Sequence, residues 1–123
     1  MRKAENIDKN TVARIMVKKL EQENKPSEIK TSYLKGYPIP DKIAFKGNND
    51  AHTPDIEAIF DDVHNFYEIE LDDNIKIDKW KLLSLYAKIN SGRFYLVVPR
   101  WLKEPIIDEI KKEKIRARVI SFS

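Results

Sequence analysis

The stretch Thr53 to Leu71, TPDIEAIFDDVHNFYEIEL, alternates apolar and acidic residues, and its reading decides how the rest of the chain folds. Its Pro54-Asp55 pair is followed by Glu68 and Glu70 inside a strand-like run. Residues two apart on a strand point to one face, about 7 Å apart at the Cα. Glu68 and Glu70 therefore share a side, and Tyr67, Ile69 and Leu71 share the other. Acids so placed repel unless a cation or water lies between them, and a divalent ion is one solution.

Asp55 to Phe60 and Phe66 to Leu71 are predicted as the arms of a hairpin. A four-residue loop, Asp61 to His64, pairs Asp55 with Glu70 and Glu57 with Glu68, crowding four carboxylates into one patch. A five-residue loop puts Asp55 on the wrong face. The alternative to an ion site is that Asp55, Glu57, Glu68 and Glu70 form the solvated face of an exposed hairpin, since charges are usually exposed.

Outward from the hairpin, a helix is predicted from Asn10 or Thr11 to about Glu23, with Val12, Ile15, Met16 and Leu20 at helical spacing and Lys25-Pro26 as its end. Glu28 to Leu34 and Lys42 to Phe45 read as strands, and Gly47 to Pro54 as a polar loop. A helix from Ile77 or Asp78 to Asn90 precedes Gly92, the expected left-handed stop. FYLVVP, Phe94 to Pro99, is a continuous apolar run suited to a strand buried on both faces, and the best candidate for the central strand. Pro105 opens a last helix with Ile106, Ile107 and Ile110 inward, and Ala117 to Phe122 is a last strand. This order implies an α/β sandwich around a mixed sheet.

The chain has 123 residues, enough for one domain with one core. It has no cysteine, which excludes disulfides, thiolate zinc sites and cysteine nucleophiles, so any metal must be held by oxygen or imidazole. The start lacks the apolar core of a secretory signal, and no apolar run approaches the roughly 20 residues that span a bilayer, so a cytoplasmic protein with no membrane partner is expected. Twenty-three basic residues nearly balance 20 acidic ones. Their distribution says more: acids concentrate from Asp50 to Asp78, whereas Arg14, Lys18 and Lys19 lie near the start and Lys111, Lys112, Lys114, Arg116 and Arg118 near the end. That pattern suits a metal site beside a phosphate-binding surface, although the terminal cluster equally suits a helix end complementing its dipole.

These residues reach a known pattern. The segment resembles the PD-(D/E)xK, or restriction endonuclease-like, nuclease superfamily, whose core runs helix, three strands, helix, strand. The likeness covers about two thirds of the chain. Pro54-Asp55 corresponds to the PD element, Glu68-Ile69-Glu70 to the (D/E)xK element, Lys79 to Ile89 to the following helix, and Phe94 to Pro99 to the fourth core strand. Glu70 departs from the usual lysine; some restriction endonucleases of the superfamily have this ExE variant. YEIEL followed by a Lys-rich helix also looks like a nuclease-like domain of plasmid replication and mobilisation proteins.

The resemblance implies a three-layer sandwich with a central mixed sheet flanked by helices, acting as a Mg2+-dependent (or Mn2+-dependent) DNA nuclease. Asp55 and Glu68 would bind the ion, with the Ile69 carbonyl a further ligand and Glu70 either joining the metal shell or accepting the water's proton. Lys79, inside the apolar arc of Trp80, Leu82, Leu83 and Tyr86, is the candidate to replace the missing lysine. Its alternative is a stem laid over the core with its head in water. Many members add an acid from the first helix, and Glu23, in line with Val12, Met16 and Leu20, takes that place. His52, two residues before the motif, is a candidate neighbour; His64 reads as polar surface, Trp80 and Tyr86 as core, and Trp101 as either. A nuclease of this size often cuts two strands as a homodimer. Two other readings stand beside the nuclease: a nuclease-fold protein that binds DNA or a replication partner without cutting, and a structural protein with an acidic surface hairpin.

Overall fold

The computed structural model describes residues 7–44 and 51–122. The end of the expected Lys42 to Phe45 strand and the first part of the Gly47 to Pro54 loop lie outside the described residues. Helix α1 (Lys9–Lys19) starts at Asp8, whose carboxylate accepts the Thr11 N–H at 2.8 Å and the Thr11 hydroxyl at 2.9 Å. The cap thus falls earlier than the sequence suggests; those bonds also hold the Asp8 carboxyl below its ordinary pKa. The helix continues through one π turn, Leu20–Asn24, and stops at Lys25 in the left-handed conformation. Val12, Ala13, Met16, Val17 and Leu20 are buried, whereas Ile15 faces solvent.

Strand β1 (Glu28–Thr31) is shorter than expected because the Thr31 N–H bonds the Pro38 carbonyl and the chain turns back. Of the predicted second strand, Ile43 makes one isolated bridge to His52. Strands β2 (Ile56–Phe60) and β3 (Val63–Ile69) form the hairpin, followed by α2 (Ile77–Ile89), β4 (Phe94–Pro99), a short 3-10 turn, α3 (Lys103–Lys112) and β5 (Arg118–Phe122). The sheet order is β1-β2-β3-β4-β5, antiparallel up to β3 and parallel beyond it. The middle strand is therefore β3, with the apolar β4 beside it.

Each face of the sheet carries its own core. On one, α1 packs on Ile56, Ala58, Tyr67, Ile69 and Val97. On the other, α2 and α3 pack on Phe66, Phe94, Leu96 and Val98. The chain is thus an α/β protein whose mixed sheet is covered on both sides. Among the described residues no helix is long and apolar enough to cross a membrane.

Gly92 does not supply the left-handed stop after α2; Ser91 does, at φ 61. Glycine is required for another reason. A Cβ at residue 92 would lie 1.7 Å from the His64 carbonyl oxygen, so only glycine lets this turn sit against β3.

Candidate active site

Only Asp61 and Asp62 separate the hairpin arms, with Asp61 left-handed at φ 58. The register pairs Ile56 with Tyr67 and Glu57 with Phe66, two residues from the expected pairing. A shift of two keeps every side chain on its face, so the acids still share one side, the side covered by α2. They are not solvated: Asp55 is 4% exposed, Glu57 7%, Glu68 0% and Glu70 1%.

Asp55 and Glu68 clasp each other through the backbone. The Asp55 N–H donates to Glu68 Oε1 at 3.0 Å, and the Ile69 N–H donates to Asp55 Oδ2 at 2.8 Å. Lys9, at the start of α1, reaches Asp55 Oδ2 at 3.1 Å from the opposite face. Burial opposes the charge on Lys9, but Asp55 outweighs it and the ammonium pKa is raised. Glu68 Oε2, fully buried, is ion-paired with Lys79 Nζ at 2.8 Å. Burial and, next, the charge of Asp55 push the Glu68 pKa up to about 7, with Lys79 opposing them.

Glu70 is held differently. Lys76 Nζ lies 2.7 Å from Oε1 and the Trp80 indole N–H donates to Oε2 at 2.9 Å, so the start of α2 occupies both oxygens. Glu57 has His64 Nδ1 at 2.6 Å from Oε2. The expected patch of four carboxylates is thus divided among four cationic or imidazole partners. Among the described residues, no three acidic, histidine or cysteine side chains are arranged to hold a metal ion. Mg2+ nevertheless needs only one or two carboxylates when phosphate and water complete its shell. Asp55 and Glu68 are a pair of hard-oxygen donors, and their oxygens face backbone N–H groups and the Lys9 and Lys79 ammonium groups, which an ion would have to displace. Glu70 does not join the pair.

Glu23 stands exposed on the π turn at the far end of the first helix. Lys9, at the near end, is the residue that meets Asp55, and fourteen helical residues span about 20 Å. The sequence argument put Glu23 on the correct helical stripe but at the wrong end of it. His52 lines a hollow of about 700 Å³ with Lys76, Asp78 and Lys79, above the acids those lysines hold. Lys9 and Lys76 were not apparent as site residues: each sits where a helix begins, so neither belongs to an apolar period that reveals which way it faces. Trp80 does belong to the core, and its indole N–H also serves Glu70. No family model, curated protein or solved structure matches this chain.

Proposed function

We propose that this chain is a Mg2+-dependent nuclease that hydrolyses DNA phosphodiester bonds, with Asp55 and Glu68 as its metal-holding pair. The reading draws on two adjacent buried carboxylates, Asp55 and Glu68, each with a lysine ammonium against it. The order helix, three strands, helix, strand agrees with it. So does the direction of Ile69: in a strand a residue's N–H and C=O leave on the same side, which for Ile69 is the Asp55 side. When bound, Mg2+ or Mn2+ supplies Lewis acidity toward a phosphodiester oxygen and makes water a better nucleophile.

Asp55 is kept in place by the Ile69 amide and Lys9, so the carboxylate needs little reorganisation to receive a ligand. Lys79 takes the role of the absent motif lysine: from α2 it holds Glu68 and places a positive charge where a phosphate's negative charge would grow. Glu70 acts as a positioning residue, fixing Lys76 and Trp80 and hence the start of α2. Its oxygens are engaged by Lys76 and Trp80 from the start of α2 and not by the Asp55–Glu68 pair. His52 lies in the hollow from which the lysine heads are reached.

Supercoiled, linear and branched DNA incubated with Mg2+ or Mn2+ should be cut, and Asp55→Ala and Glu68→Ala should each abolish the cutting. Lys79→Ala should reduce it by about a hundredfold, the size of one lost charge-stabilising group. Cutting that survives in both acid variants would overturn the proposal. A second reading, a DNA-binding protein of the same fold that does not cut, draws on the full engagement of Glu70; binding that needs no metal and is never followed by cleavage would establish it.

A further inference from the structure

At the other end of α2 lies a cleft of about 600 Å³ between the turn into β4 and the segment leading into β5. Lys88, Arg93, Arg116 and Arg118 line it, together with Ser84 and Ser91, and no acidic residue does. None of the four cations forms an ion pair among the described residues. An adjoining hollow adds Lys114 and Lys81, of which Lys81 is paired with Glu113 at 3.4 Å.

The walls are tied down. The Arg93 N–H donates to Asn65 Oδ1 at 2.8 Å, and its carbonyl accepts from Phe66 at 2.9 Å. On the other side, Ser84 Oγ donates to the Arg116 carbonyl at 2.6 Å. The close approach of Gly92 to β3 fixes the floor between them. Complementing a helix dipole accounts for Lys88, in the last turn of α2, but not for Arg93, Arg116 and Arg118, which lie beyond the helix ends. The carbonyls of Tyr86, Ala87 and Lys88 at the end of α2 are already bonded by Asn90, Ser91 and Gly92, which lessens the negative charge there for the cations to meet.

We infer that this cleft is a second, separate anion site that binds phosphate groups. Arginine presents planar, paired donors that match phosphate oxygens, and three arginines and a lysine around one cleft supply the charge and donors a phosphate needs. Nine helical residues separate Lys88 from Lys79, about 14 Å, which keeps the cleft apart from the acidic site. The inference stands whether or not the acidic site cuts DNA.

The test is NMR titration of the 15N-labelled full chain with tripolyphosphate in EDTA, alongside fluorescence anisotropy with a labelled single-stranded oligonucleotide. Tripolyphosphate should shift the amides of Ser91, Gly92, Arg93 and Arg116 to Arg118. The double variant Arg93→Gln, Arg116→Gln changes exposed side chains only, keeps the fold by circular dichroism, and should bind about tenfold more weakly or worse. Competition between tripolyphosphate and the oligonucleotide identifies a polynucleotide backbone as the source of the phosphate; binding of tripolyphosphate alone identifies a small phosphorylated ligand. Absence of shifts, shifts confined to Lys76 and Lys79, or unchanged affinity in the double variant would overturn the inference.

Discussion

Glu68 shows what burial does to a single carboxyl. Its pKa rises from 4.5 to about 7, so between those values the folded chain holds a proton that the unfolded chain has released. Stability contributed by this residue is therefore intact below the lower value and is lost as pH rises through the window. Replacing it by the neutral isostere removes that dependence. In EDTA, the unfolding free energy from urea denaturation of Glu68→Gln relative to the wild type should move in the variant's favour between about pH 4 and pH 8, by up to about 3 kcal/mol. A difference that stays flat across that range would show that Glu68 ionises normally. The Lys79 ammonium limits the effect and leaves the buried acid able to serve as a ligand once charged.

At the scale of the element, the turn after α2 is the most constrained piece of backbone. Gly92→Ala places a methyl group 1.7 Å from the backbone oxygen of His64, which no rotamer change can relieve. The turn must move away from β3, at a cost of about 3 kcal/mol, the upper range for overpacking, and thermal unfolding should register it. Sequence reasoning singled out Gly92 but for a left-handed stop, because a close approach across 28 residues leaves no local signature. Elements whose identity rests on periodicity were legible: α2, the run Phe94 to Pro99 and the first hairpin arm occur where the pattern put them, whereas the second arm, expected over Phe66 to Leu71, runs from Val63 to Ile69. The hairpin turn was read as longer than it is, since Val63, His64 and Asn65 break the apolar alternation although their backbone is strand. For the site, the face shared by Asp55, Glu68 and Glu70 was legible from a period of two. Which cation each would meet was not, because Lys9 and Lys76 arrive from helix starts on opposite sides of the sheet.

Across the whole molecule, the sheet separates two cores, and the acids lie on the α2 side while Asp55 receives its lysine from the α1 side. The strands lie in the sheet in the order in which the chain produces them. The hairpin of β2 and β3, which brings Asp55 and Glu68 together, is a local pairing, whereas Lys76 and Lys79 reach those acids from the separate helix α2. A transition state that forms the hairpin ahead of its contacts with α2 would leave Glu68 without Lys79, and protonation would then relieve the repulsion from Asp55. Stopped-flow refolding should slow as pH rises from about 5 to about 8, and Glu68→Gln should remove most of that slowing. The separation of acids and lysines onto different elements thus makes the assembly of the sheet with α2, and not the finished site alone, a step whose rate should respond to acidity.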